Sequence, residues 1–432
     1  MQQTHHIVVV GGGAGGLELV TRLGKTLGKS QRARITLVDA NLTHIWKPLW
    51  HELAAGTLNS SEDTLNYIVH GYQHHFSFQW GALTALDRAN KSMLLSSVND
   101  ENGQQILPER TLTYDTLVIA IGSVSHDFNV RGVKENCFFL DSHHACQGFY
   151  QQFLKNLLRL QEGLMPTLEI AIVGGGATGV ELAAELQFTC DQALKYKQKD
   201  SDQLSKVSIT VIESAPRILP MLSEKISSAT QKALTQQNIK TLVNAQVKQV
   251  DKEQFHTQSG LTIPAHLKLW TAGIKAPAIL SNLGLETNTR HQLRVRETLQ
   301  STWDDNIFAF GDCAHCPQPH TDQPVAPRAQ AAHQQATLLA RSLRQHVQYN
   351  KPLLHYHYRD RGSLISLSHR FTLGSLMGKA LSRILLEGRL ARLAYLYLYR
   401  SHQAVLHGWW RVALLSIGKL LMRPVHPRLK LH

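Results

Sequence analysis

The chain has 432 residues, 43% hydrophobic and 18% charged, an ordinary globular balance with room for two or three domains and their cores. Its five cysteines, Cys137, Cys146, Cys190, Cys313 and Cys316, are odd in number and mostly scattered, which argues against a disulfide framework and for a reducing compartment. The net charge of +13 is uneven: from Lys379 onward ten basic residues stand against one acidic residue, Glu387, so a nearly neutral body carries a basic tail that calls for an anionic partner.

The N-terminus enters a strand almost at once and lacks a basic region followed by an apolar one, so no signal peptide is expected. The β-branched run Ile7 to Val10 leads into Gly11-Gly12-Gly13-Ala14-Gly15-Gly16, and Leu17 to Leu27 then reads as a helix. In such a turn the first glycine permits the tight bend, the second lets backbone approach a pyrophosphate, and the third lets helix pack on strand. The helix N-terminus adds unpaired N–H groups and partial positive charge. Asp39 closes the strand Ile35 to Val38, about 20 residues beyond the turn, where an acid holds a ribose. The late strand of this unit is Thr116 to Ile121, ending in Gly122-Ser123. A helix-like run from Gln147 to Gln161 follows.

The plan then repeats. Ile170 to Val173 leads into Gly174-Gly175-Gly176-Ala177-Thr178-Gly179 and a helical stretch from Val180 to Leu186. Glu213 closes Ser208 to Ile212 and takes the place of Asp39, further from its turn because the polar segment Lys195 to Lys206 reads as a surface insertion. Leu267 to Gly273 ends the second unit, and Asn306 to Phe310 with Gly311-Asp312 returns the chain to the first. One such glycine motif is weak evidence. Two, both between strand and helix, point to two dinucleotides and an electron relay between them. A carboxylate at Glu213 repels a 2′-phosphate, which predicts NADH over NADPH. The alternative for Asp39 and Glu213 is an ordinary strand-end carboxylate.

In the tail, Arg389, Arg392, Arg400, Gln403, His407 and Arg411 recur in helical steps with one gap at Leu396. Leu390, Leu393, Tyr397, Leu398, Val405, Trp409 and Trp410 take the other face, and the tyrosines and tryptophans suit a headgroup layer. No uncharged run approaches about 18–20 residues, so helices lying in a membrane interface are expected rather than a span. A break is expected near His407-Gly408. The alternative is an amphipathic helix packed on the protein's own core. Nucleic acid is not expected as a partner, since no recognised binding motif accompanies the charge. Cys313-Ala314-His315-Cys316 offers two good ligands, short of a four-ligand zinc site, so no metal is expected.

The first glycine turn, Tyr114-Asp115 before its strand, Trp270 to Gly273 and Gly311-Asp312 resemble the flavin-dependent pyridine-nucleotide oxidoreductases with two dinucleotide-binding domains. The region Ile45 to Glu52 has no cysteine where disulfide reductases of that superfamily carry a redox pair, so an acceptor must take electrons from flavin directly. The match narrows at Pro327-Arg328-Ala329-Gln330-Ala331-Ala332-His333-Gln334, similar to the AQxxxQ signature of type II NADH:quinone oxidoreductases. With His51-Glu52, Ser375-Leu376-Met377-Gly378 and the arginine-rich tail, the chain resembles bacterial respiratory members from about Ile7 to its end.

That resemblance implies an α/β fold of two Rossmann-like domains, the second inserted in the first, plus C-terminal amphipathic helices. It implies an FAD-binding domain over 1–125, a connecting segment over 126–164 returning to it, an NADH-binding domain over 165–290, the rest of the FAD domain with a quinone-site helix over 291–378, and a membrane-anchoring region over 379–432. FAD would lie against Gly11, Gly13, Gly16, Asp39, Gly122, Gly311 and Asp312, and NADH against Gly174, Gly176, Gly179 and Glu213. Gln330 and Gln334, four apart on one helix face, would offer amides to the carbonyls of a membrane quinone, ubiquinone or menaquinone. Apart from the resemblance they read as a solvent-facing polar stripe. Glu181 would approach the nicotinamide, its alternative being a solvated helix glutamate, and Lys47, His51 and Glu52 would line the flavin pocket. The expected place is the cytoplasmic face of the bacterial inner membrane, peripheral and against anionic lipid, without proton pumping, and with a homodimer left open. The alternatives are a soluble NADH-dependent flavin reductase and a membrane-associated, redox-responsive nucleotide-binding regulator. Sulfide:quinone oxidoreductase fits less well, with the second turn intact and no suitable cysteine set.

Overall fold

The computed structural model describes residues 4–58, 64–196, 206–319, 323–368, 371–376 and 385–422. Most of the proposed insertion before Glu213, Met377-Gly378, Lys379, Arg383 and the last cations of the tail lie outside the described residues. Two compact units are each assembled from three stretches of chain: 1–47, 64–124 and 275–359 in the first, 48–63, 125–274 and 360–432 in the second.

In the first unit, His5–Val10 is the central strand of five, all parallel. Ala33–Asp39 and then Ser77–Trp80 lie on one side, Thr116–Ile119 and then Ile307–Ala309 on the other. Ile7, Val8 and Val9 are fully buried, as expected of parallel strands covered on both faces, which read as unbroken apolar runs. The chain leaves the central strand through the glycine turn and enters the helix Ala14–Leu23. Strand order reverses there, which is where such sheets bind ligands. A three-stranded antiparallel sheet of Leu83–Asp87, Ser92–Leu95 and Arg110–Thr113 precedes the fourth strand of the unit.

The second unit repeats this plan. Leu168–Val173 is the reversal strand of a four-stranded parallel sheet, with Val207–Ile212 and Ile239–Leu242 on one side and Leu267–Trp270 on the other. The helix Ala177–Tyr196 follows its turn. It too has an antiparallel sheet before its last strand, built from Val247–Val250, Gln254–Thr257 and Thr262–Pro264. The duplicated α/β plan therefore extends beyond the glycine motifs to the accessory sheets.

The structure draws the boundaries differently from the expected ones. The 126–164 segment belongs with the second unit: Arg131 bridges to Gln249 and Phe138 to Leu269, and the helix His143–Gln161 packs on the short helix Trp50–Ala55. The helix begins where Ser142 caps it by accepting from the Ala145 N–H. Residues 360–376 also fall in the second unit, as a sheet of Gly362–Leu367, Phe371–Leu376 and Leu385–Glu387 that packs on the helix Ala177–Tyr196 and on the tail. Hydrophobic periodicity marks a buried face without naming the partner that buries it, so it could not place these segments.

The described residues of the tail form two helices, Arg389–His407 and Trp409–Met422, broken at Gly408, whose φ of +85° takes it out of helical conformation. Ala391, His402, Ala404 and Leu406 are buried, while Leu393, Leu396, Tyr397, Leu398, Trp409 and Trp410 are exposed. The face expected to be apolar is therefore not the one packed on the protein. No helix among the described residues is long and apolar enough to cross a membrane.

Candidate functional site: two glycine cradles and their neighbours

At the first turn Gly11 has φ +103°, and a Cβ there would lie 2.4 Å from the Ala120 carbonyl oxygen. A Cβ on Gly16 would lie 1.8 Å from the Gly11 oxygen, the close helix–strand approach that excludes any side chain. Gly13 faces open space. Asp39 accepts from the Gly12 N–H at 2.6 Å and from the Asn41 N–H at 2.7 Å. Burial raises its carboxyl against the lowering effect of these bonds. The Gly12 carbonyl accepts from Tyr67 Oη at 2.7 Å and from His44 Nδ1 at 2.9 Å. The turn is also walled, because a Cβ on Gly15 would lie 2.5 Å from the Phe310 ring.

Other expected residues of this unit converge at the strand ends. Gly122 and Gly311 both hold positive φ, +71° and +76°. Ser123 Oγ donates to Asp312 at 2.9 Å, and Lys47 Nζ donates to the Ser123 carbonyl at 2.8 Å. Gln335, which the sequence reading missed, is buried and accepts from the Gly311 N–H at 2.9 Å, tying the helix Ala329–Tyr349 to this loop. A cradle that excludes a Cβ at both tight positions and leaves Gly13 open fits the pyrophosphate of a dinucleotide, and Asp39 fits its ribose.

The second turn reproduces that geometry. Gly174 has φ +112° with a Cβ position 2.7 Å from the Ala272 nitrogen, Gly179 would clash with the Gly174 oxygen at 2.0 Å, and Gly176 faces open space. Glu213 accepts from the Gly175 N–H and the Ala215 N–H, both at 2.8 Å. Here the Gly175 carbonyl is held by a backbone group, the Leu219 N–H at 2.7 Å. Gly176, Ala177 and Thr178 are all exposed.

Glu181 lies one turn into the second helix and is 9% exposed, so it is not a solvated helix glutamate. It accepts from the Ser366 N–H at 2.9 Å, and its other oxygen lies 3.8 Å from His51 Nδ1. Burial, with Glu185 nearby, pushes its carboxyl up to about 8, and burial pushes the His51 imidazole down to about 4. Burial thus favours the uncharged form of both partners over an ion pair. Glu185 accepts from Thr57 Oγ1 at 3.0 Å, and burial beside Glu181, Glu52 and Glu185 drives the Tyr395 hydroxyl far above its ordinary value. His51 and Glu52, expected beside the flavin, thus sit with the carboxylates of the second unit.

Gln330 and Gln334 share one face of the helix Ala329–Tyr349. Gln334 donates to the Arg359 carbonyl at 2.8 Å and accepts from the Arg359 N–H at 3.0 Å. That clasp leaves its amide a second N–H and a second lone pair. The cysteines Cys313 and Cys316 are buried, donate to the Phe310 and Pro317 carbonyls, and are pushed up to about 12 by that burial, which suppresses thiolate chemistry.

Residues 5–336 match the family model described as pyridine nucleotide-disulphide oxidoreductase. The chain is 40% identical to a type II NADH:quinone oxidoreductase of Haemophilus influenzae, covering 99% of this chain and 100% of that one. It is 27% identical to a type II NADH:quinone oxidoreductase of Staphylococcus aureus over 88% of this chain and 92% of the relative. Among solved structures, NDH2 from Plasmodium falciparum in complex with NADH superposes with a TM-score of 0.82 at 20% identity, over 99% of this chain and 100% of that one. The sulfide:quinone oxidoreductase of Aquifex aeolicus shares the fold with a TM-score of 0.71 at 18% identity, over 94% and 92%.

Proposed function

The chain belongs to the type II NADH:quinone oxidoreductases, within the pyridine nucleotide-disulphide oxidoreductase family, and from that membership we propose how its residues divide the work. The protein is an FAD-dependent enzyme that oxidises NADH and reduces a quinone. The observation that carries the division of labour is the pair of matched cradles, one walled and one exposed. The walled cradle of Gly11, Gly13, Gly16 and Asp39, with Gly122, Gly311 and Asp312, holds the resident FAD. The exposed cradle of Gly174, Gly176, Gly179 and Glu213 takes NADH, which must enter and leave at every turnover.

Bound FAD would supply the two-electron redox chemistry that links NADH to quinone. The protein's share is alignment. Lys47, Ser123 and Asp312 form a hydrogen-bonded chain that fixes the loop ends around the flavin site. Gln330 and Gln334 offer amides to the quinone carbonyls without charging the site, Gln334 through its second N–H. Glu181 keeps its proton at neutral pH and meets the nicotinamide side as a hydrogen-bond donor rather than as a charge.

The exposed face of Leu393, Tyr397, Trp409 and Trp410, the last 76% exposed, lies in the lipid interface, with Arg411 toward anionic headgroups. This docking puts the enzyme on the membrane where its quinone dissolves, at the cytoplasmic face.

Anaerobic stopped-flow absorbance at the flavin band, near ~450 nm, tests the function. Bleaching by NADH followed by rapid return on adding a short-chain quinone is expected. Bleaching without return would remove quinone as the acceptor. Absence of a flavin band in the purified holoprotein would remove the cofactor assignment.

A further inference from the structure

The helix after the first glycine turn carries a carboxylate that dinucleotide binding does not call for. Glu18 is fully buried. It accepts from Arg22 Nε at 2.8 Å on its own helix, and from His333 Nδ1 at 2.6 Å and Thr337 Oγ1 at 3.0 Å on the glutamine helix. Burying a carboxylate is costly, and pairing it offsets that cost without exceeding what apolar side chains of the same volume would contribute. Packing alone does not explain its presence.

Geometry supplies a reason. The two helices already approach closely through small residues: a Cβ on Gly15 would lie 3.3 Å from both the Cβ and the carbonyl oxygen of Ala332. Such a contact sets distance but resists rotation weakly, because small residues offer no interlocking side chains. Gln330, His333, Gln334 and Thr337 follow the i, i+3, i+4, i+7 spacing of a single stripe. By binding His333 and Thr337 on successive turns, Glu18 holds that stripe at two points. Gln335 to the Gly311 N–H holds the helix on another side, and the Gln334–Arg359 clasp closes the far edge. Gln330 stands one turn before His333, so its direction follows from this rotation.

We infer that Glu18 is a positioning residue for quinone reduction: through His333 and Thr337 it sets the rotation of the glutamine helix and so aims Gln330. The inference rests on the assignment of Gln330 and Gln334 to the quinone. It makes the flavin-side helix a direct determinant of how the quinone is presented.

The test uses the holoenzyme carrying Glu18→Gln, His333→Leu or His333→Asn. Flavin content, flavin reduction by NADH, flavin reoxidation by a short-chain quinone, and calorimetric affinity of the oxidised enzyme for that quinone are measured. Glu18→Gln and His333→Leu are each expected to slow reoxidation and weaken quinone binding about five-fold, the size of one lost hydrogen bond, with flavin content and reduction rate unchanged. His333→Asn, whose amide N–H stands in for Nδ1–H, restores most of both. The double variant Glu18→Gln/His333→Leu is no worse than Glu18→Gln, because His333 acts through Glu18 and adds nothing once that carboxylate is gone. Should Glu18→Gln not fold, the two His333 variants carry the test alone. Parallel loss in both half-reactions, or loss of flavin, would mark Glu18 as structural and overturn the inference. Normal wild-type reoxidation with unaffected variants sinks only this positioning role, whereas a wild type that quinone cannot reoxidise sinks the quinone assignment beneath it.

Discussion

The two glycine turns share their backbone and differ in what surrounds them. Both use a positive-φ glycine, both close helix on strand where a Cβ cannot fit, and both present a strand-end carboxylate bound to the N–H of the turn's second glycine. Around the first, side chains do the holding: Tyr67 and His44 bind the Gly12 carbonyl, and Phe310 covers Gly15. Around the second, the matching carbonyl takes a backbone N–H from Leu219 and three turn residues stay exposed. In the scheme we propose, one duplicated motif serves a cofactor that stays and a nucleotide that exchanges, and what differs between the two turns is their walls rather than their motif.

The largest separation between the turns is expected from Gly11→Ala against Gly174→Ala. Each forces a side chain into a left-handed backbone and onto neighbouring backbone, at a cost of about 1–3 kcal/mol before the clash is counted. Gly11→Ala should yield protein nearly free of flavin by absorbance. Gly174→Ala should keep its flavin and lose NADH turnover by ~100-fold or more at limiting NADH. Flavin loss in both would erase the distinction between walled and exposed cradles.

Next in size is the pair Gln330→Leu/Gln334→Leu. Slowing of quinone-driven flavin reoxidation by about 10- to 100-fold is expected, the range for unmade hydrogen bonds to a buried carbonyl, with reduction by NADH preserved. If the NADH half-reaction fails instead, the glutamine helix serves the wrong substrate in our scheme.

Smaller and opposite effects should come from Glu213→Gln and Tyr67→Phe. The first removes the charge that disfavours a 2′-phosphate, so the preference for NADH over NADPH should narrow by about ten-fold in kcat/KM, with flavin retention untouched. The second removes one of two donors on the Gly12 carbonyl and should weaken FAD retention about five-fold in a dialysis assay, leaving the KM for NADH unchanged. A changed nucleotide preference in Tyr67→Phe would mean that the two cradles are not independent.

A separate readout is a pH dependence of stability that originates in the second unit. Burial pushes the Glu181 carboxyl from its ordinary value near 4.5 up to about 8, so the folded state binds its proton more tightly. Its stabilising contribution is complete below about 4.5 and is lost as pH rises through about 8. Relative to the wild type, Glu181→Gln should therefore gain thermal stability on going from pH 6 to pH 9. A Tm difference that stays flat with pH would show that the carboxyl is ionised throughout.

How much of this was legible follows from the range of each interaction. The glycines of both turns, Asp39 and Glu213 could be named because their requirement is local: a backbone without Cβ and an acid at the end of the next strand. Gly122 and Asp312 came only with the family resemblance. Tyr67, His44, Gln335 and Glu18 were missed, since each acts on a group far along the chain and leaves no periodic trace of its partner. Glu181 was named without its setting, and its neighbours His51, Ser366 and Glu185 come from distant segments of the second unit. In the tail, spacing found a helical face and the break at Gly408, but assigned the apolar stripe without deciding which side the protein itself would cover.

The sequence by itself determined the two parallel-sheet units, their turns and the carboxylate set beside each, because strand pattern, missing Cβ atoms and a placed carboxylate act over a few residues. Tertiary structure alone decided which turn is walled, which unit claims residues 48–63 and 126–164, and which carboxyl stays protonated. Those outcomes depend on burial, and burial is created by segments that meet only when the chain is folded.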